Sequence, residues 1–294
     1  MIIKTSYNDI TISIVLYKED YELISRTLKP INSFKKIIID NSGNLDLKQK
    51  IESNFKIDEY ILNKKNFGFS AGYNQAVKLC KTKYSLILGP DCIISEKDIL
   101  LLMKEFLSYE NCFLVSPTSY DENMNLTYAG GKLPENDLKD QVLKLSGNTC
   151  VDATLGACML LKTKEFIEIG CFDENFFLYF SDEDLCRRVK KKNKSVIQVY
   201  NAKCIHQHGI IKVKNKYKKV FIREYNLVFD RLYYFYKINR HNELIETYKK
   251  KILLYFIRVL AKIFTFKFLD AIKFFSRILA YFRFVFKFKI KKNE

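Results

Sequence analysis

Four short apolar runs recur along the first ninety residues: 12–16 (ISIVL), 37–39 (III), 60–62 (YIL) and 84–88 (YSLIL). Stretches of helical character separate them, the clearest being SAGYNQAVKLCK at 70–81, whose apolar residues recur at helical spacing. Short apolar strands alternating with helical segments of about 10–15 residues predict βαβ units and a parallel sheet. Ligands of such sheets bind beyond the carboxyl ends of the strands. Polar residues stand at four consecutive ends here: 17–19 (YKE), Asp40 with Asn41, the 66–72 loop, and Asp91. Strand character returns at 157–161 and 195–200, after a looser stretch at 116–148 that reads as a long loop or small hairpin. Past residue 217 the pattern turns helical. The expected division is a sheet-based domain over 1–215 and a helical, basic-aromatic extension over 216–294.

A chain of 294 residues that is 48% hydrophobic can bury a substantial core. None of its eight cysteines falls at C-x-x-C spacing, and most lie in apolar runs. They read as small core residues in a reducing compartment, neither disulfides nor zinc ligands. The N-terminal residues lack an uninterrupted apolar h-region, and no uncharged apolar run approaches the ~18 residues of a membrane span. The formal net charge is +17, of which residues 248–294 hold +11, from 13 Lys or Arg against 2 acids. A basic tail on a milder globular part points to an anionic surface as partner.

Residues 170–188, GCFDENFFLYFSDEDLCRR, set five acids among a dense group of aromatic side chains. Apolar neighbours raise a carboxylate's pKa, which suits a proton acceptor. An alternative is a helix N-terminus, with Ser181 as N-cap and Asp182, Glu183 and Asp184 complementing the dipole. Asp40 ends KKIIID, where a carboxylate can meet a nucleobase imide or ribose hydroxyl, or can build an Asp-Asn-Ser-Gly turn. Gly68 and Gly72 stand at the start of a helical pattern, where the backbone can approach a phosphate or ribose. Asp91 follows a strand and Pro90; it is either the carboxylate for a divalent cation bridging a diphosphate or part of a Gly-Pro-Asp turn. His206 and His208, in IHQHG, would share one face of a strand as a metal pair, or be hydrogen-bonded without a ligand role.

In order, ISIVLYK, IIIDNSG, NFGFSAGYNQAV, LILGPD, GACMLLK, the 170–188 block and AKCIHQHG resemble the motifs of family-2 glycosyltransferases. The likeness is greatest to the rhamnosyltransferase-like branch that builds bacterial O-antigens and capsules, and it runs from about residue 12 to 226. REYN at 223–226 resembles that family's Arg-Asn helix start. The resemblance implies a GT-A fold: a mixed, mainly parallel sheet with flanking helices, here followed by a C-terminal amphipathic helical tail. It implies that Val15 and Tyr17 line the base pocket, that Asp40 holds the base, and that Asn66 and Gly68 lie near the nucleotide. It makes Asp91 the metal carboxylate, places His206 near the metal or diphosphate, and makes Asp182 the catalytic base. Its cofactor is a divalent metal, Mg²⁺ or Mn²⁺. Its partners are a nucleotide-sugar donor and a glycan or polyprenyl-linked acceptor. Two departures stand out. Gly89 occupies a position where many members have Asp or Asn, and Ser181 replaces the Glu that usually precedes the base.

Between 249 and 292 the basic residues are interleaved with Phe, Leu and Ile. On a single helix Arg258, Lys262, Asp270, Lys273, Arg277 and Arg283 would share one polar face, with Lys267 outside it. Such a helix would lie in a membrane interface, on the inner face of the cytoplasmic membrane, although packing on the catalytic domain or on a second subunit, as in a homodimer, would cover the same stripe. From Phe282 the alternation FRFVFKFKIKK favours an extended segment. Two other functions lack their hallmarks in this chain. A nucleotidyltransferase would need a lysine-rich glycine loop that is absent here. A nucleic-acid-binding protein would need a base-reading motif, and none is present.

Overall fold

The computed structural model describes residues 7–136, 145–207 and 215–290. These form two compact units, 7–173 with 181–207, and 174–180 with 215–290.

The first unit runs β1 (Ile10–Leu16), α1 (Tyr21–Leu28), β2 (Lys35–Asp40), α2 (Leu45–Glu52), β3 (Glu59–Leu62), α3 (Gly68–Leu79) and β4 (Tyr84–Leu88). It continues with β5 (Cys92–Ile94), α4 (Glu96–Ser108), β6 (Cys112–Tyr120), β7 (Leu126–Tyr128), β8 (Thr149–Cys150), β9 (Cys158–Lys162), α5 (Thr163–Glu168), α6 (Ser181–Lys191) and β10 (Ser195–His206). The sheet order is β3-β2-β1-β4-β9-β6-β10-β5, with β7 on β6 and β8 on β10. β3, β2, β1 and β4 are mutually parallel, as the alternating pattern requires. β9 enters antiparallel to β4 and β6, and β10 runs parallel to β6. The order reverses between β1 and β4, so their carboxyl ends, Leu16 and Leu88, flank a crevice of the kind that holds ligands in α/β sheets.

Alternation along β1 explains the layers. Ile10, Ile12, Ile14 and Leu16 pack with Ile24, Leu28, Ile51, Leu102 and Phe106 on one face. Tyr73, Val77, Ile87, Met159, Phe166 and Leu185 fill the other, under α3, α5 and α6. Side-chain caps fix three helix starts: Asp20 accepts from Leu23 N–H, Asn44 from Leu47 N–H and Ser95 from Asp98 N–H. α3 starts without a side-chain cap, and Gly68 there has φ +85°. Gly72 lies within α3, and a Cβ on it would stand 2.7 Å from Val15 Cγ1. Its missing side chain therefore admits β1, and the phosphate approach expected of that glycine gives way to close helix–strand packing. The loose stretch resolves in part as the β6–β7 hairpin; residues 137–144 lie outside the described residues.

The second unit contains α7 (Lys216–Lys237), α8 (His241–Phe264) and α9 (Phe268–Ile290) around Phe176, Leu232, Tyr233, Tyr234, Ala280 and Phe284. The tail differs from expectation in three ways. It is two helices, interrupted at Phe266 with φ +55°, so its charges do not share one helical face. The alternation past Phe282 is helical through Ile290, because Phe284 is buried in the unit's core and holds that segment against α7. Arg277 does not face outward but pairs at 2.6 Å with buried Glu224 of α7. α8 and α9 form an antiparallel hairpin, with Tyr255 beside Phe274 and Lys262 3.3 Å from Asp270 near the turn. REYN lies inside α7 and does not start it; Asn215 is the N-cap.

Candidate active site

The carboxyl ends of β1, β2 and β4 bring together the residues expected at the donor site. Asp40 is fully buried, and its Oδ1 accepts from Ser42 N–H and Ser42 Oγ, both at 2.6 Å. Tyr60 Oη donates to its Oδ2 at 3.2 Å. The turn-building role of Asp40 is thus fully expressed. Next to it, Asn41 Nδ2 donates to Gly68 O at 3.1 Å, tying β2 to the loop before α3. Asn66 Oδ1 accepts from Gly68 N–H at 2.9 Å and holds that glycine's left-handed turn. Val15 packs on Gly72, and Tyr17 stands half-buried just past β1. Lys18 follows with φ +68°, a left-handed conformation that turns the chain so that Glu19 folds back to accept from Tyr17 N–H.

Asp91 sits in a turn pinned from three sides. Cys92 N–H donates to Gly89 O at 3.1 Å and Gly89 N–H to Ala157 O at 2.7 Å. Gln207 N–H donates to Asp91 O at 2.9 Å, while Thr27 Oγ1 holds Pro90 O at 2.8 Å. β10 pairs His206 with Cys92, which sets His206 Nε2 3.4 Å from Asp91 Oδ2. Ligand atoms of Asp91, Cys92 and His206 thus lie within 4.8 Å of one another. His208 lies outside the described residues. Burial raises the Cys92 thiol well above its ordinary range, and its Sγ stands 3.9 Å from Asp91 Oδ1. The donor set is then one hard carboxylate and one imidazole over a protonated thiol, which fits a divalent cation that completes its shell with substrate oxygens. A Cβ at Gly89 would reach within 3.0 Å of Asp91 Oδ1. The absent second carboxylate would have stood against the first.

Asp182 opens α6 one residue after its start; Ser181 is itself the first helical residue, not a cap outside it. Asp182 Oδ2 accepts from Gly156 N–H at 2.7 Å. Gly156 precedes Ala157, whose carbonyl holds Gly89, so a single peptide step links the candidate base to the candidate metal turn. A Cβ on Gly156 would stand 2.9 Å from Phe69 and 3.1 Å from Asp182 Oδ2, which accounts for the glycine. Asp184 is engaged elsewhere, by Arg188 at 2.9 Å. Arg188 also donates to the carbonyls of Ile169 and Cys171. Glu183 turns its carboxyl inward, and Oε2 is buried with no partner. Burial, followed by the Asp182 charge and a hydrogen bond to Asp182, raises Glu183 well above the carboxylate range. This environment favours the protonated form of Glu183.

Sequence reasoning passed over Gly156 and the weight of Glu19. It also passed over Asn74, whose amide exchanges two 2.9 Å hydrogen bonds with the Phe172 backbone. In the second unit, Asp230 receives the N–H groups of Phe177, Leu178 and Tyr179 at 3.3, 2.9 and 2.9 Å. A lone acid inside the apolar run VFDRLYYF was the available signal for Asp230.

Glu19 gives a pH signature. Desolvation raises its pKa from 4.5 to about 7, opposed by backbone N–H groups and aided by the charges of Asp91 and Asp40. A raised folded-state pKa contributes stability that is full below pH 4.5 and lost as pH rises through about 7. Glu19→Gln should remove this decline, worth up to about 3 kcal/mol. Urea midpoints at pH 5, 6, 7 and 8 check it; parallel curves for the two proteins would show that Glu19 ionises normally.

Residues 11–164 match the family described as glycosyl transferase family 2. The chain is 28% identical over 224 residues to the low-salt glycan biosynthesis hexosyltransferase of Haloferax volcanii, covering 70% of each. It is 29% identical over 195 residues to rhamnosyltransferase WbbL of Escherichia coli, covering 58% of this chain and 72% of the relative. Among solved structures, GalNAc-T7 with UDP, GalNAc and Mn²⁺ superposes with a TM-score of 0.54 at 12% identity, covering 76% of this chain and 51% of that one. A Pyrobaculum calidifontis mannosyltransferase in complex with GDP-Man and Mn²⁺ gives 0.53 at 12% identity, covering 76% and 63%. The chain thus spans about half to two-thirds of the length of these two structures. With the GT-A fold and a matched segment that takes in β1 through β9, the chain belongs to glycosyl transferase family 2.

Proposed function

We propose that this glycosyltransferase inverts configuration, moving a sugar from a nucleotide-diphosphate donor to a hydroxyl of a glycan or lipid-linked acceptor in bacterial surface polysaccharide synthesis. Rhamnose is the leading candidate for the sugar, by analogy with the relative named for rhamnosyl transfer. The observation that carries this reading is the Gly156–Ala157 step, which ties Asp182 to the Asp91 turn.

In this mechanism Asp182 takes the proton of the acceptor hydroxyl as its oxygen attacks the anomeric carbon from the face opposite the diphosphate. The bond from that carbon to the diphosphate oxygen breaks through an oxocarbenium-like state, and the nucleoside diphosphate leaves with the electron pair. One base on one face gives a single displacement and inversion. Val15, Tyr17, Asn66 and Gly68 shape the nucleoside side, and Asp40 orders the turn that faces it. Asp91 and His206 would hold a divalent cation, which supplies Lewis-acid neutralisation of the diphosphate charge. Mn²⁺ is the first ion to try, since both solved neighbours carry it. A proton on Glu19 removes one negative charge from the place where that diphosphate arrives.

The α8–α9 hairpin is proposed to lie on the anionic inner face of the cytoplasmic membrane. No helix among the described residues is long and apolar enough to cross a membrane. Yet Phe264, Phe266 and Leu253 are 81%, 80% and 71% exposed, in company with Lys249, Lys250, Lys251, Arg258 and Lys267. A Phe-tipped hairpin with cations beside it matches a headgroup–acyl boundary.

Three outcomes test these assignments. Asp182→Asn should lower transfer by about 10²–10⁴-fold with donor binding nearly intact; retention of more than about a tenth of the wild-type rate would displace Asp182 as base. Asp91→Ala should remove the metal-dependent part of nucleoside diphosphate binding in calorimetric titrations. Equal losses with and without chelator would end its metal role. Replacing both Phe264 and Phe266 by Asp should reduce partition onto phosphatidylglycerol vesicles by at least about 100-fold, since each buried Phe contributes about 1.5–3 kcal/mol. Unchanged sedimentation with vesicles, or a concentration-dependent mass that the double variant abolishes, would assign the tip to another partner.

A further inference from the structure

The second unit holds a cavity that the catalytic scheme does not use. Phe221, Tyr225 and Phe229 recur every four residues along α7 with their rings in a stack. Centroids are 5.7 Å apart at 17° between planes, then 5.9 Å apart at 10°. This ladder lines a cavity of about 600 Å³, a volume that suits a small molecule or the head of a larger one. Leu279, Arg283 and Lys287, again four residues apart on α9, line it too, together with Asn175 and Phe177.

No carboxylate is among the lining residues. Arg283 makes no ion pair among the described residues, and Lys287 Nζ lies only 3.5 Å from Asn175 Oδ1 and 5.6 Å from the Phe229 centroid. Nearby Arg277, by contrast, is paired with Glu224. Two uncompensated cations over an aromatic wall call for a ligand that is anionic at one end and apolar beyond it. The three rings add a continuous apolar wall beside the two cations, which suits a hydrocarbon chain carried behind an anionic head.

We infer that this cavity binds the phosphoryl head and the first hydrocarbon units of a lipid-linked acceptor, with Arg283 and Lys287 on the phosphoryl oxygens. This rests on the proposed transfer to such an acceptor and names where its anchor is held. The segment 174–180 that contributes Asn175 and Phe177 runs directly in sequence into Ser181 and Asp182, so the acceptor anchor and the base lie on one short length of chain.

The test uses the full chain and farnesyl diphosphate as probe, with binding read by calorimetry in the absence of donor. Both cations are exposed, so R283Q and K287Q should melt as the wild type does. Each substitution should weaken farnesyl diphosphate about tenfold and the pair about 100-fold, as expected for charge-assisted hydrogen bonds. Inorganic pyrophosphate should bind the wild type at least about 100-fold more weakly than farnesyl diphosphate, since it lacks the chain. Partition onto phosphatidylglycerol vesicles and hydrolysis of the nucleotide-sugar donor should be unchanged in the double variant. Equal binding of farnesyl diphosphate by wild type and double variant overturns the assignment. Pyrophosphate binding as tight as that of farnesyl diphosphate makes it a free-anion site, and vesicle partition that falls in step with probe binding makes the cations part of the membrane face; either overturns it as well. Failure of the wild type to hydrolyse any nucleotide-sugar would instead strike the proposed transfer reaction, leaving the binding result to stand by itself.

Discussion

Parallel pairing of β1 with β2 and β4 brings Glu19, Asp40 and Asp91 to the same carboxyl end of the sheet, and the site is organised around the burial of acids that this imposes. Each acid is handled differently. Asp40 is fully buried and surrounded by donors, two from Ser42 and one from Tyr60. Glu19 holds a proton up to about pH 7 because burial leaves it little solvent. Asp91, its side chain still 16% exposed, is the one of the three that stands beside an imidazole, that of His206. A glycine at position 89 belongs to the same solution, since a side chain there would press within 3.0 Å of the Asp91 carboxylate.

Much of this was legible in the sequence because it is local. Isoleucine-rich runs ending in a polar residue specify buried parallel strands and deliver Asp40 and Asp91 to their ends without reference to distant residues. His206 was recoverable from its place at the end of a long strand, but the 3.4 Å approach to Asp91 depends on antiparallel pairing of β10 with β5, which no local pattern encodes. Gly156 was quoted only as the first letter of a motif. Its function, an N–H aimed at Asp182, exists only once β9 has entered the sheet beside β4. Gly72 was legible as a glycine that something must approach closely, and the approaching group proved to be Val15.

The tail shows the opposite limit. Helical periodicity correctly marks 216–290 as helix, yet it cannot tell an apolar stripe that packs on its own unit from one that faces outward. Phe284 and Tyr281 are buried against α7, while Phe264 and Phe266 at the hairpin turn are almost fully exposed. Both kinds look alike in FTFKF and YFRFVF. What separates them is the break at Phe266 and the buried Glu224–Arg277 pair. Glu224 also accepts from Arg223 at 2.8 Å, so the buried carboxylate is held by one arginine of its own helix and one of α9. Hence Arg277, which looks like a surface cation by composition, is part of what fixes the register of α9 on α7.

The departure at Ser181 is resolved by its neighbour. Where the family pattern puts a Glu before the base, this chain buries Ser181 in the first turn of α6 and turns Glu183 inward after it. Two adjacent ionised carboxylates in a nearly dry site would repel each other, and the cost falls on the more deeply buried carboxyl. Burial first, and then the Asp182 charge, press Glu183 toward its protonated form. In the proposed mechanism Asp182 is the member of this pair that meets the acceptor hydroxyl, and Glu183 stays behind it as its buried neighbour. The same Gly156 N–H that fixes Asp182 is one residue away from the Ala157 carbonyl that fixes the Asp91 turn, so the two carboxylates of the candidate site are held in register by neighbouring residues of one backbone segment.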